Sequence, residues 1–247
     1  MDQSYWEVMD AVLQLVMSDG YSPDATEEQK VVAKDVLNKI ADKNVQDTVI
    51  YGRYTDTSDR YDMAMDVCNY NGPKETAAVV AECFTRNREN VHLLDVAAGT
   101  GLCAVELRKH GFLKMDALDA SPGMLEEAKR KGLYDQYIID ILGEKTLDIS
   151  TDTYDAVVMC GFSIEILQRL PITAFEELIR IVKPGGYFIN TGWMMMYTDG
   201  GEVKAEQLRR QLKTLEENGK WKFVQLKHFK NYIKGFDGAV SVHMICK

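Results

Sequence analysis

Long apolar runs are missing from this 247-residue chain, and no stretch approaches the 18 or so residues that a membrane-spanning helix requires. The first residues, MDQSYWEVMD, are acidic and carry no apolar core of the kind that directs secretion. An excess of basic residues is also missing: 29 Lys and Arg stand against 38 Asp and Glu, a formal charge of -9, so no global field draws the protein to nucleic acid. Cysteine is sparse. Cys68, Cys83, Cys103, Cys160 and Cys246 are odd in number and scattered, with no C-x-x-C pair and no zinc-ligand spacing, as expected of reduced thiols in a cytoplasmic protein without a metal centre. Only five prolines interrupt the chain, and neither repeats nor low-complexity tracts occur, so the elements must be read from periodicity and end signals.

Two helical patterns come first. Tyr5, Val8, Met9, Val12 and Val16 recur at helical spacing up to the stop Asp19-Gly20. Thr26 and Gln29 fit a capping box ahead of the stripe Val32, Val36, Leu37 and Ile40. A polar, Tyr-rich stretch from Tyr51 to Asp62 follows, and a further helix is expected to begin near Pro73. This predicts a helical extension with a Tyr-rich cap over residues 1–70, ahead of an α/β domain over 71–247.

From His92 onward, apolar runs alternate with helices. Strands are predicted at His92 to Ala97, Met115 to Ala120, Gln136 to Ile141, Tyr154 to Cys160 and Tyr187 to Thr191, the last preceded by a turn at Lys183-Pro184-Gly185-Gly186. Trp221 to His228 and Ala239 to Cys246 are expected to form an antiparallel hairpin around Gly235-Phe236-Asp237-Gly238. The alternation predicts a doubly wound, seven-stranded, mostly parallel sheet with an antiparallel terminal hairpin, a Rossmann-like α/β fold.

The densest chemistry lies in Leu94-Asp95-Val96-Ala97-Ala98-Gly99-Thr100-Gly101-Leu102. Glycines after a first strand let backbone approach a ligand, and the next helix offers its N-terminus. Gly99, Gly101 and Ala104 also satisfy the loose dinucleotide fingerprint, with Asp119 at the end of the second strand, where it is able to bond ribose hydroxyls. Asp95 separates the two readings. A carboxylate two residues before the turn would repel a pyrophosphate but attract the ammonium and sulfonium of S-adenosylmethionine.

These residues resemble motif I of the class I S-adenosylmethionine-dependent methyltransferases, and Lys183-Pro184-Gly185-Gly186 and the terminal hairpin agree in order and spacing. A narrower similarity is to the methyltransferase-like family named for the Williams-Beuren syndrome chromosome region, seen in Asp119-Ala120-Ser121-Pro122-Gly123-Met124-Leu125-Glu126, Gly132-Leu133-Tyr134 and Tyr154-Asp155-Ala156-Val157. The resemblance implies S-adenosylmethionine as cofactor. It implies contacts to the cofactor from Asp95, Ala97, Gly99, Thr100, Gly101, Leu102 and Ala120, to the ribose from Asp119, and to the adenine's amino group from Asp140 and Ile141; Met124, in the first turn of the helix after Ser121, is placed either to cover the adenine face or to pack in the core. It also implies that Tyr51 and Tyr61 reach the methionine end; Cys160, by its position at the end of the fourth strand, is expected to face the methyl-donor crevice.

Trp193, Met194 and Tyr197, after the fifth strand, are expected to wall a substrate pocket suited to a small, partly hydrophobic methyl acceptor. Methyl transfer is an in-line displacement on an already activated methyl group, so a general base is needed only for a protonated acceptor. Glu165 is the candidate base, and Cys160-Gly161-Phe162-Ser163 stands where amide and adenine methylases carry Asn-Pro-Pro-Tyr. A protein methyltransferase, a non-catalytic cofactor-binding module and a nicotinamide-dependent oxidoreductase are the alternative readings.

Overall fold

The computed structural model describes residues 21–41, 50–162, 170–197 and 203–247, together with Gln14 and Leu167. Apart from Gln14, the helix expected from Tyr5 lies outside these residues, and so does the candidate base Glu165. Two helices open the described chain: α1 (Glu27–Ile40) and α2 (Ile50–Val67). The capping box forms as read, with Thr26 accepting from the Gln29 N–H and Gln29 accepting from the Thr26 N–H. Ala33, Val36 and Leu37 of α1 pack on Ala64, Met65 and Cys68, so the two helices share a small core of their own.

Helix α3 (Gly72–Cys83) leads into the alternating region, with Pro73 in its first turn. Strand β1 (His92–Val96), α4 (Leu102–Lys109), β2 (Lys114–Asp119), α5 (Pro122–Arg130), β3 (Gln136–Ile139), β4 (Tyr154–Cys160), α6 (Ile172–Ile181), β5 (Val182–Trp193), α7 (Val203–Glu217), β6 (Trp221–Ile233) and β7 (Phe236–Ile245) follow. They build one seven-stranded sheet in the order β3-β2-β1-β4-β5-β7-β6. The first five strands pair in parallel, and β7 runs antiparallel to both neighbours. Successive residues of β1 point to opposite faces, so Leu93 joins a core with Val80, Leu107 and Met115, whereas Leu94 joins one with Val157, Phe175 and Trp221. Strand order reverses between β1 and β4, and a crevice is expected at their carboxyl ends.

Most strand ends fall within two residues of the sequence expectation, and the larger differences have local reasons. Lys183–Gly186 is no turn before β5 but a bulge inside it: the pairing to β4 skips from Val182 to Tyr187. A side chain at Gly186 would meet the Asp155 carbonyl oxygen at 2.5 Å, so glycine permits the close backbone approach that keeps the strand paired. The terminal hairpin is longer than its apolar runs suggest. The reversal narrows to Lys234-Gly235, with Gly235 at φ 91°, because Phe236 already belongs to β7 and stacks on Trp193 with ring centres 5.7 Å apart.

The hairpin also buries a histidine. His243 lies against Trp221, ring centres 4.7 Å apart, and its Nδ1 has no partner. Burial pushes its pKa down to about 4. The unfolded chain takes up a proton near 6.5 that the folded site refuses, so stability is complete above that pH and falls as pH drops toward 4. Between pH 7 and pH 4.5, urea titrations should show wild type losing about 2–3 kcal/mol relative to His243→Leu, whatever the other titrating groups add to both proteins; the same pH dependence in both proteins would refute the assignment.

Candidate functional site

The loop between β1 and α4 is unusual in its backbone. Ala97, Gly99 and Gly101 all take positive φ, at 55°, 55° and 87°. A left-handed alanine costs about 1 kcal/mol and persists only where its surroundings over-determine it, a pattern that concentrates at ligand sites. Here the Ala98 N–H is tied to the Leu118 carbonyl and the Gly101 N–H to Ala98, which fixes the turn against β2. The two glycines then do different things. A side chain at Gly99 would meet nothing within 4 Å, whereas one at Gly101 would meet Leu133 Cδ1 at 2.6 Å. Gly99 keeps open the space it faces, and Gly101 admits the packing of Leu133 and Tyr134.

That space is a cleft of about 780 Å³, its mouth included. Asp95 and Asp119 both reach it, from the carboxyl ends of adjacent parallel strands. Asp95 is 1% exposed and accepts from the Tyr134 hydroxyl at 2.7 Å. Burial raises its pKa to about 7, the Tyr134 bond opposing and the Asp119 charge adding to the rise. Asp119 accepts the N–H of Gly99 and of Ser121, each at 2.8 Å, one on either oxygen. Burial raises its carboxyl as well, against those bonds. No lysine, arginine or histidine lines the cleft among the described residues, so its fixed charge is negative.

A side cavity of about 310 Å³ shares Tyr51, Ala97, Asp119, Ala120 and Phe162 with the cleft and extends it past Asp140. Asp140 is held there by an ion pair to Lys145 at 3.3 Å and accepts the Ile141 N–H at 2.8 Å. Met124, 1% exposed, lines the main cleft from the first turn of α5, which Ser121 caps.

The roof is α2. The Tyr51 to Asp62 stretch has no apolar stripe, yet Tyr51, Tyr54, Thr55, Ser58 and Tyr61 share one helical face, and the three tyrosines line the cleft. The helix is seated on polar bonds. Thr55 Oγ1 lies 2.8 Å from Ser121 Oγ, and Asp62 joins both the Thr100 hydroxyl and Lys131, which also donates to the Thr100 carbonyl at 2.8 Å. A side chain on Gly123 would meet the Thr55 Cα at 2.9 Å, so glycine there lets α2 lie directly on α5.

At the end of β4, the Cys160 thiol faces the cleft among Tyr70, Thr76 and Cys103. Burial pushes this thiol up, but hydrogen bonds with Cys103, Thr76 and Tyr70 outweigh it and hold the thiol below the ordinary cysteine value. Tyr51, Tyr61, Asp95, Ala97, Gly99, Thr100, Leu102, Asp119, Ala120, Met124 and Cys160 thus meet in one place, and Asp140 adjoins it.

Five expected site residues fall elsewhere. Gly101 and Ile141 are absent from both linings, and so are Trp193, Met194 and Tyr197. The last three pack instead: Trp193 stacks on Phe236, Met194 opens a short 3-10 turn, and the Tyr197 hydroxyl is locked to the Asn190 amide at 2.7 Å. The aromatic stretch after β5 is claimed by the terminal hairpin. Tyr70 and Phe162 line the cleft without having been singled out in the sequence, and Tyr134 supports it from behind Asp95. Among the described residues, no cluster of His, Cys, Asp and Glu is placed to hold a metal ion, and no helix is long and apolar enough to cross a membrane.

With this geometry in view, comparisons with known proteins agree on the architecture. Residues 93–186 match a family described as a methyltransferase domain. A solved S-adenosylmethionine-dependent methyltransferase from Aquifex aeolicus superposes with a TM-score of 0.55 at 20% identity, covering 77% of this chain and 98% of its own. The fold is that of the S-adenosylmethionine-dependent methyltransferases. Methyltransferase-like protein 27 of Homo sapiens is 34% identical over 162 residues, 65% of this chain and 63% of its own length. Demethylmenaquinone methyltransferase of Symbiobacterium thermophilum is 29% identical over 181 residues, 70% and 63% respectively. The match therefore spans less than two thirds of either relative.

Proposed function

We propose that this chain is a methyltransferase that uses S-adenosylmethionine to methylate a small-molecule acceptor in the cytoplasm. The observation that carries the reading is the pair Asp95 and Asp119, turned from neighbouring strands into one cleft whose described lining holds no basic residue. That donor set fits the cofactor: one carboxylate for an ammonium group and one for ribose hydroxyls, with an open face at Gly99 where backbone meets ligand. A pyrophosphate fits it poorly, since it would be desolvated beside two carboxyls without a compensating cation. Similarity to methyltransferase-like protein 27 supports kinship with the methyltransferase-like family narrower than the fold.

Bound S-adenosylmethionine supplies a methyl group already activated by its sulfonium. The chain's own work is to hold and to exclude. Asp95 holds the cationic end, Asp119 the ribose, and Asp140 with Met124 the adenine side, while α2 with Tyr51, Tyr54 and Tyr61 excludes water as the roof. On this reading residues 1–70 form the cap and 71–247 the catalytic domain. Five free cysteines, partly or fully buried, accord with a reducing compartment.

Calorimetric titration of S-adenosylhomocysteine and S-adenosylmethionine, with NADH as control, tests the cofactor directly. Binding in the micromolar range is expected, with a loss of roughly a hundredfold in Asp119→Ala, the usual order for a charge-assisted contact left unmade. Binding of NADH in place of the two cofactor forms would sink the reading.

A further inference from the structure

Beyond the two carboxylates, a second polar centre touches the cleft, and the cofactor reading leaves it unused. Three remote segments build it: the link between α2 and α3, the end of β4, and the end of β6. The Tyr70 hydroxyl lies 3.3 Å from the Tyr232 hydroxyl and 3.5 Å from Cys160 Sγ, and their two rings meet edge to face at 5.1 Å. Thr76 donates to Cys160 at 3.2 Å and lies 2.7 Å from Thr191, which closes the back of the cluster.

The backbone is bent to make this arrangement. The β6–β7 pairing skips from Phe229 to Ile233, and within that bulge Asn231 takes φ 56° while Tyr232 turns inward to 6% exposure. Across from it Asn69 takes φ 51°. Asn71 ties the two bends together, its N–H donating to the Tyr232 carbonyl and its side-chain amide to the Asn231 carbonyl, both at 2.9 Å. Left-handed non-glycine residues and bulges that re-aim a side chain are features of functional sites. Space has been cleared as well. A methyl group on Gly161 would collide with the Tyr70 hydroxyl, and one on Gly72 would meet the Tyr70 ring at 2.7 Å.

Resting on the methyltransferase reading above, we infer that Tyr70, backed by Tyr232, is the acceptor-recognition residue, holding an uncharged oxygen of a flat, ring-bearing acceptor beside Cys160 and selecting against carboxylates and phosphates. When Tyr232 donates to Tyr70, the Tyr70 proton is left for Cys160, a weak acceptor, or for a ligand oxygen, a stronger one. Burial keeps the Tyr70 phenol protonated, hence a donor. Asp95 and Asp119 make an anionic acceptor unfavourable, and Tyr54, Tyr61, Pro73 and Phe162 offer rings and apolar edges to a flat one.

Phenol and benzoate serve as probes on protein saturated with S-adenosylhomocysteine, followed by ligand-observed NMR. Phenol should bind at least about tenfold more tightly than benzoate, the order expected when a carboxylate is buried without a partner. Tyr70→Phe, which keeps the ring, should weaken phenol about fivefold, the worth of one neutral hydrogen bond, and Tyr232→Phe by less, with S-adenosylhomocysteine affinity unmoved in both. Benzoate binding as well as phenol, phenol indifferent to Tyr70→Phe, or no phenol binding at all would overturn the inference while leaving the cofactor reading standing. If Tyr70→Phe weakened S-adenosylhomocysteine as much as phenol, Tyr70 would be a cofactor residue and the inference would fall. Failure of wild-type protein to bind S-adenosylhomocysteine would instead defeat the reading beneath it.

Discussion

Replacing Asp95 with asparagine should make the protein more stable and a weaker binder of S-adenosylhomocysteine. The carboxyl is 1% exposed and its pKa stands at about 7, raised by burial from 3.8. In the unfolded chain it ionises near the ordinary value, so the folded state holds a proton that the unfolded state has already lost. Stability from this group is therefore complete below about pH 4 and declines as pH rises toward 7. The full shift is worth roughly 4 kcal/mol above pH 7, and Asp95→Asn, which still accepts from Tyr134, should recover about half, or about 5 °C in Tm at pH 8. Affinity should move the other way, by about ten- to a hundredfold, because a charge-assisted bond to an ammonium is lost. A cationic ligand selects the ionised carboxyl and expels the proton below pH 7. Wild-type affinity for S-adenosylhomocysteine should therefore weaken as pH falls from 8 to 6, with proton release visible as a buffer-dependent heat, and the variant should show neither. A pH-independent wild type would remove Asp95 from the ammonium site.

The sheet was legible because its signals are local. Buried parallel strands are continuous apolar runs, and their ends carry Gly or Ser-Pro. The glycine-rich turn and both carboxylates were legible for the same reason: each stands at the end of one strand, where topology alone brings them together. The roof was harder. Helix α2 turns tyrosine, threonine and serine toward the cleft, so the apolar period that reveals an amphipathic helix is missing, and what remains is a polar stretch. Tyr70 and Tyr232 stand 162 residues apart and meet through a bulge and two left-handed asparagines, none of which has a sequence signature. Trp193, Met194 and Tyr197 lie outside the cleft lining for the converse reason. Position after β5 suggests a pocket wall, but Phe236 of β7 stacks on Trp193, and Asn190, earlier in β5, holds the Tyr197 hydroxyl.

The two glycines of the turn between β1 and α4 should separate in their effects when each is changed to alanine. Gly99 has φ 55°, the same as Ala97 two residues earlier, and nothing lies within 4 Å of an added methyl group. Gly99→Ala should therefore cost only about 1 kcal/mol of stability, the penalty of a left-handed alanine. Its methyl group would occupy the open face of the cleft, and S-adenosylhomocysteine affinity should fall by more than about tenfold, the price of about 1.4 kcal/mol or more. Gly101 has φ 87°, and its methyl group would meet Leu133 Cδ1 at 2.6 Å and the Tyr134 ring at 3.3 Å. Leu133 is the end of a flexible side chain and is able to give way, but Tyr134 is the donor that holds Asp95. Gly101→Ala should thus destabilise by roughly 2–3 kcal/mol and alter the pH dependence assigned to Asp95, since a displaced Tyr134 no longer opposes the rise of that carboxyl. Urea titration and cofactor calorimetry on the two variants read both quantities. Equal stability losses, or an affinity loss confined to Gly101→Ala, would mean that the cofactor approaches the turn from the side of Leu133, away from Gly99.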